Sequence, residues 1–258
     1  MHVVHCLDAY ALGAKSTEVY SAERDDGVVV HRLKSRWGAL SPLVSHQTGT
    51  PGLKRRGLLE VLKGEFDVVN FHNVSLMGGP VVVSLSRAPV NFYTFHDHWL
   101  LCPTHSFWKN KRTVCQKRTC LTCTVRSGLP IQPWRYLGNT LRHLSKIDRF
   151  LSPSRFTAKV HQSGHPHWPI EGLPTFSNLR VGEREGEKSR RERFLFAGRL
   201  VRSKGIELLL NEFEKNGFPL DVAGDGPLEG ELRGRFGHLA NVRFLGELAQ
   251  EQLKHHYA

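Results

Sequence analysis

The sequence predicts an α/β protein with parallel sheets, arranged as two domains and a connecting segment. Short β-branched and aromatic runs alternate with segments whose apolar residues recur at helical spacing, which is typical of βαβ units. Between residues 174 and 192 this alternation stops and the sequence becomes polar and highly charged. We therefore expect a first domain at residues 1–173, a linker at 174–192 and a second, incomplete domain at 193–258.

The composition is that of a basic globular protein. Lys and Arg number 36 against 24 Asp and Glu, a formal net charge of +12. This charge favours anionic partners such as phosphates, nucleic acid or an acidic lipid surface, although a solvated basic surface would have the same composition. The sequence has no run of about 18 apolar residues and no pattern of an export signal. We expect a cytoplasmic protein, for which peripheral contact with the anionic inner membrane face stays open.

In the first domain, polar residues follow three predicted strands at 67–72, 90–95 and 147–151. The residues at these strand ends are His72 and Asn73, His96 and Asp97, and Ser152 and Ser154. The carboxyl ends of parallel strands meet at one edge of the sheet, where such sheets bind ligands. Ser154 is also placed to cap a helix that runs toward Gly164. For His96, a structural hydrogen bond at the strand end is the alternative to a binding role.

In the second domain, a strand at 194–197 is followed by Gly198, Arg199 and Lys204, and then by an amphipathic helix that ends at Gly217. An Arg and a Lys five residues apart across this turn can both reach a diphosphate at the helix N-terminus. An exposed basic turn is the simpler alternative. A second strand at 220–223 leads into a tight turn that contains Gly224 and Gly226.

Four of the five cysteines fall between residues 102 and 123, and these are Cys102, Cys115, Cys120 and Cys123. The last two have C-x-x-C spacing, and four thiolates can close a tetrahedral zinc site. An iron–sulfur cluster and unligated thiols are the alternatives. Because four thiolates leave no open position for chemistry, we expect any such metal to be structural. Cys6 lies in a separate apolar stretch and is expected in the core.

Two motifs carry a resemblance to a known family. The segment at 197–205 and the Val-Ala-Gly-Asp-Gly-Pro segment at 222–227 together resemble the donor domain of family-4 (group 1) glycosyltransferases. In the first domain, the order of His72-Asn73, His96-Asp97 and Ser152-Pro153-Ser154 is similar to the acceptor domain of that family. A subset of its bacterial members carries a similar Cys-rich loop after the His-Asp pair.

The resemblance implies two Rossmann-like domains that face each other across a cleft, the GT-B fold. It implies transfer of a sugar from a nucleotide-diphosphate donor to a glycan or lipid-linked acceptor, with retention of anomeric configuration and no catalytic metal. His96 would lie beside the reacting sugar, with Asp97 fixing its tautomer or contacting the acceptor. Arg199 and Lys204 would clamp the donor diphosphate, and His72 would lie on the acceptor side.

The family also has segments that this sequence does not contain. A first strand with a glycine-rich loop would precede His2, and a pair of Glu residues would follow Ala258, so we expect the chain to be truncated at both ends. A catalytically inactive glycosyltransferase-like fragment or subunit shares every motif above and stays open. A basic, zinc-stapled nucleic-acid-binding protein is a further alternative, but neither a recognition helix nor an RNA-binding signature accompanies the cysteines. We therefore expect no nucleic-acid partner.

Overall fold

The computed structural model describes residues 1–10, 22–25, 27–110, 112–137, 140–175 and 193–257. The chain divides into two compact units, Met1–Thr175 (unit 1) and Phe176–Ala258 (unit 2), each with its own apolar core. Most of the predicted linker, residues 176–192, lies outside the described residues. Among the helices that are described, none is long and apolar enough to cross a membrane.

The described residues of unit 1 form two larger sheets and one short hairpin. In the first sheet, β1 (His2–Cys6) pairs in parallel with β3 (Val28–Leu33), and β3 pairs antiparallel with β2 (Ala22–Asp25). The second sheet has four parallel strands in the order β4-β5-β8-β9. These strands are β4 (Val68–His72), β5 (Val90–Thr94), β8 (Arg149–Ser152) and β9 (Ile170–Gly172). A two-residue hairpin follows β5, formed by β6 (Trp108–Lys109) and β7 (Thr113–Val114).

Helices connect these strands. The α-helices of unit 1 are α1 (Leu7–Tyr10), α2 (Leu40–Thr48), α3 (Arg55–Leu62), α4 (Cys120–Arg126) and α5 (Arg155–Gly164). The 3-10 helices are Gly52–Lys54, Pro80–Leu85, Pro133–Arg135 and Thr140–Lys146. The predicted helix after Ser154 is confirmed, because the Ser154 hydroxyl accepts a hydrogen bond from the Thr157 N–H at 3.1 Å.

An aromatic stack forms the centre of the unit 1 core. The Phe95 ring lies 5.4 Å from the Phe150 ring and 3.8 Å from the His161 ring, and both pairs are stacked. Phe95, Phe150 and His161 are almost completely buried. Burying one large apolar side chain stabilises a fold by about 1.5–3 kcal/mol, so this stack fastens α5 to the second sheet.

Unit 2 has a three-stranded parallel sheet in the order β10-β11-β12. The strands are β10 (Phe194–Ala197), β11 (Leu220–Ala223) and β12 (Val242–Gly246), and the helices are α6 (Ile206–Asn216), α7 (Glu229–Phe236) and α8 (Gln250–Tyr257), with a 3-10 helix at Arg202–Lys204. All four residues of β11 are buried, as expected for a central parallel strand. The prediction of an α/β fold with parallel sheets is confirmed.

Candidate functional site

Two histidines meet at the carboxyl edge of the second sheet of unit 1. His72 ends β4 and His96 follows β5, and these two strands are neighbours. The Nδ1 atom of His72 lies 2.7 Å from the Nε2 atom of His96, so one imidazole donates a hydrogen bond to the other. Desolvation lowers the pKa of His72, and the neighbouring His96 lowers it further. His72 therefore favours the neutral imidazole, and each ring keeps one further nitrogen outside this contact.

The described partners of Asp97 lie in the loop that follows it. Its carboxylate accepts hydrogen bonds from the Trp99 N–H at 2.7 Å and from the Nδ1 atom of His105 at 2.9 Å. Burial by itself would raise the pKa of Asp97, but the hydrogen bonds from His105 and Trp99 outweigh it, and the pKa is lowered. Asp97 therefore fastens the start of the following loop, while the described partner of His96 is His72.

The other predicted residues of this edge make local contacts. The Ser152 hydroxyl donates to the carbonyl of Ser154 at 2.9 Å, and the Ser154 hydroxyl caps α5. Asn73 is exposed and has a left-handed backbone with φ of 44°. The structure thus places all six predicted residues at strand ends, while the two serine hydroxyls serve the turn into α5.

In unit 2, the loops that follow β10 and β11 pair through their backbones. The Gly198 N–H donates to the Ala223 carbonyl at 2.9 Å, and the Leu200 N–H donates to the Asp225 carbonyl at 2.7 Å. A Cβ atom on Gly224 would lie 2.1 Å from the Gly198 carbonyl oxygen, and one on Gly226 would lie 2.6 Å from the Leu200 carbonyl oxygen. Glycine at 224 and 226 is therefore required by this close approach of two backbones.

Arg199 and Lys204 lie beside this edge, between the end of β10 and the start of α6. Both side chains are exposed, and neither has an ion-pair partner within the described residues. Gly205, with φ of 72°, is the N-cap of α6 and has no side chain to satisfy the first-turn N–H groups. Two cations with no described ion-pair partner thus adjoin the positive end of a helix dipole, an arrangement that attracts anions.

The basic residues at the opposite edge of this sheet differ in having a partner. Arg193 and Arg243 both contact Oδ1 of Asp221, with their Nε atoms at 2.7 Å and 3.1 Å respectively. Arg193 also donates to the carbonyls of Leu220 and Asn241. These two arginines therefore hold the sheet together, whereas Arg199 and Lys204 have no such structural role in the described part of the unit.

The four predicted metal ligands surround one small pocket next to α4. Cys102, Cys115, Cys120 and Cys123 all contribute to its lining, and all are free thiols. Burial raises the pKa of the Cys120 thiol, and the neighbouring Cys102 and Cys115 thiols raise it further. Among the residues that the structure describes, no three His, Cys, Asp or Glu side chains already form a set of metal ligands.

Sequence reasoning missed two residues close to these sites. His105 was not singled out, although the Asp97–His105 contact fixes the loop; no signal in the sequence separates it from the other histidines. Arg135 was also missed, and its guanidinium carbon lies 4.9 Å and 4.4 Å from the Trp99 and Trp134 ring centres. A Trp directly before the Arg was the only available hint.

No protein-family model matches the sequence, and no curated protein matches it. Solved structures do match the fold. The Anabaena protein Alr3699/HepE in complex with UDP and glucose is 15% identical, covers 86% of this chain and 57% of its own, and has a TM-score of 0.52. The structure of the same protein with UDP is 16% identical, covers 88% of this chain and 57% of its own, and has a TM-score of 0.50. A mutant of S. aureus TarM in complex with fondaparinux, α-GlcNAc-glycerol and UDP is 12% identical over 66% of this chain, with a TM-score of 0.41.

The chain spans 32% of the TarM structure and 57% of the HepE structures, so it is much shorter than these proteins. At identities this low the likeness concerns the fold and not the activity. The chain has a mixed α/β fold with parallel sheets that matches glycosyltransferase structures of the GT-B type.

Proposed function

We propose that this protein is a retaining glycosyltransferase that moves a sugar from a nucleotide-diphosphate donor to a glycan or lipid-linked acceptor. The observation that carries the proposal is the carboxyl edge of unit 2. Arg199 and Lys204 are exposed there without carboxylate partners in the described residues, beside the uncapped start of α6. A diphosphate is the ligand that suits two cations and a helix N-terminus at one position.

Sugar transfer needs stabilisation of the negative charge that grows on the departing diphosphate. Arg199 and Lys204 would supply it without first breaking an ion pair, so their charge is available to the transition state. The backbone pairing around Gly224 and Gly226 keeps this edge rigid, which limits the reorganisation that the reaction requires. Two cations cover the diphosphate, and the proposed transfer therefore needs no catalytic metal.

The His72–His96 pair would act on the sugar side. Because the 2.7 Å bond uses one nitrogen of each ring, the second nitrogen of each remains for a sugar hydroxyl. Lowered basicity of His72 suits hydrogen bonding by a neutral imidazole rather than by a cation. The HepE protein, which shares the fold, was solved with UDP and glucose, and this supports a UDP-sugar as the first donor to test.

The decisive experiment is calorimetric titration of UDP, ADP and GDP into the wild type, Arg199→Ala and Lys204→Ala. Loss of a hydrogen bond to a charged group costs at least about 1.5 kcal/mol, so each variant should bind more weakly by about tenfold or more. Lys215→Ala is the matched control, because Lys215 lies in the last turn of α6, away from the start of this helix, and pairs with Glu212. It removes the same charge and should leave the affinity unchanged.

Equal affinity in the wild type and in Arg199→Ala would contradict the diphosphate assignment. Turnover is measured separately, with radiolabelled nucleotide sugars and mixed glycan and lipid-linked acceptors. Retention is read from the anomeric proton coupling of the product, which should match that of the donor sugar. Tight nucleotide binding without transfer from any donor would instead favour an inactive glycosyltransferase-like subunit.

A further inference from the structure

The four cysteines between residues 102 and 123 converge although their backbone is mostly irregular. Cys102 and Cys123 are buried, Cys115 and Cys120 are partly exposed, and all four line one pocket with a volume of about 20 Å³. A site of this size holds about one water molecule. It therefore has room for a single small ion.

The backbone around the pocket adopts uncommon conformations. His105, Phe107 and Asn110 have left-handed backbones, with φ of 66°, 53° and 53°. Non-glycine residues keep such conformations only when their surroundings fix them. In the described residues of this segment, the β6–β7 hairpin, α4 and backbone hydrogen bonds from Cys115 to Phe107 and from His105 to Cys102 supply part of this support. A bound ion would add to it.

A polar contact at the pocket suits a thiolate. The Asn110 N–H donates to the Sγ atom of Cys123 at 3.3 Å, and hydrogen bonds of this kind orient metal ligands and stabilise their charge. The Asn110 side-chain oxygen is buried and has no partner among the described residues. Arg118, whose guanidinium carbon lies 5.9 Å from the Phe107 ring centre, adds positive charge beside the same pocket.

Arg135 is a positive charge close to the pocket that has no carboxylate partner in the described residues. Its guanidinium donates to the Trp99 and Leu100 carbonyls and lies against two indole rings. No carboxylate pairs with it in the described part of the chain. The acidic groups around it include the thiols of Cys102 and Cys120. A cation held in partly buried surroundings needs a counter-charge, and thiolates at the pocket would provide one.

We propose that Cys102, Cys115, Cys120 and Cys123 bind one zinc ion as four thiolates. The four protons would leave to solvent, and the resulting site of charge −2 would be offset by Arg135 and Arg118. Since these thiols do not yet form a ligand set, binding would draw the loop and the first turn of α4 closer together. The ion would be structural and would fix the loop that begins at Asp97.

The test is elemental analysis of protein purified without oxygen and without chelators. We expect about one zinc per chain in the wild type, and loss of most of it in each of the four Cys→Ser variants. Cys6→Ser is the matched control, because Cys6 is buried in β1, outside the pocket, and should leave the zinc content unchanged.

A variant that fails to fold would also lose zinc, so the zinc content of the wild type is tested by a second measurement that needs no variant. Mass spectrometry of alkylated protein should show the four pocket thiols protected until a strong chelator is added, with zinc released at the same time. Protein without zinc, or full zinc content in a folded Cys120→Ser variant, would overturn the proposal, and so would iron with acid-labile sulfide. Nucleotide affinity is a separate measurement, so failure here leaves the proposed function standing.

Discussion

At the carboxyl edge of the second sheet in unit 1, polar side chains are hydrogen-bonded to one another. At the corresponding edge of unit 2, the backbones are paired and the two cations have no partner in the described residues. His72 contacts His96 and Asp97 contacts His105, whereas Arg199 and Lys204 stay exposed. The first edge depends on the identity of its side chains, and the second depends on the absence of side chains at two glycines. The two edges should therefore respond differently to substitution.

The largest effect should come from Gly224→Ala in unit 2. The new Cβ would lie 2.1 Å from the Gly198 carbonyl oxygen, and the backbone has φ of 129°, so a strand end must shift. We expect a loss of about 3 kcal/mol or more in the stability of this unit. The measurement is urea unfolding followed by circular dichroism, with hydrogen exchange to locate the change.

The matched control for this substitution is Gly230→Ala in α7. Nothing lies within 4 Å of a Cβ atom at this helical position, so alanine should stabilise by about 0.5–1 kcal/mol. All five tryptophans lie in unit 1, so their fluorescence should not change in either variant. Similar stabilities for Gly224→Ala and Gly230→Ala would show that unit 2 does not depend on the close approach of its backbones.

A smaller effect should appear on acidification, in unit 1. Desolvation lowers the pKa of His161 from 6.5 to about 4, although its Nδ1–H donates to the Thr157 carbonyl. The native state thus binds fewer protons than the unfolded state. The stability that neutral His161 contributes is fully present above pH 6.5. It is lost as the pH falls toward 4, and the loss amounts to about 2–3 kcal/mol. His161→Phe, which can still stack on Phe95, should remove this part of the acid sensitivity.

Tryptophan fluorescence during urea unfolding at pH 7 and pH 4.5 measures this loss in unit 1 alone. His167→Gln is the control, because His167 is exposed and lies in the same region, and its acid sensitivity should equal that of the wild type. If His161→Phe lost as much stability as the wild type between the two pH values, another buried group would have to carry the acid response.

Much of the framework could be predicted from sequence, because local patterns determine it. The strands before His72, His96 and Gly198, the cap at Ser154 and the turn glycines at 224 and 226 follow from strand runs and turn chemistry. β3 was not predicted, although Val28–Leu33 begins with three valines, because the surrounding charged residues hid a half-buried strand. Periodicity thus predicted the positions of these strands and helices, but it did not reveal a strand whose neighbours in sequence are polar.

Side-chain partners were harder to predict, because they depend on the path of the irregular loops that follow the strands. Asp97 was expected to fix the tautomer of His96 or to contact the acceptor, and its described side-chain partner is His105. The loop between them ends at a left-handed residue, His105 itself, and no periodic pattern indicates where such a residue occurs. The gathering of the four thiols agrees with their sequence spacing, whereas the guanidinium of Arg135 beside them depends on a segment that follows α4.

The smallest effect concerns Ser154, for which a capping and a ligand-binding role lead to different outcomes. Its hydroxyl accepts from the Thr157 N–H at 3.1 Å, so Ser154→Ala should destabilise unit 1 by about 1 kcal/mol, as measured by tryptophan fluorescence in urea. Ser163→Ala is the control, because its hydroxyl only donates to the Val160 carbonyl within the same helix and alanine is the better helix former. Equal stabilities for the two variants would mean that the Ser154 hydroxyl contributes little to the cap. It would then be available to an acceptor, and this edge of unit 1 would resemble the edge of unit 2, where Arg199 and Lys204 have no partner in the described residues.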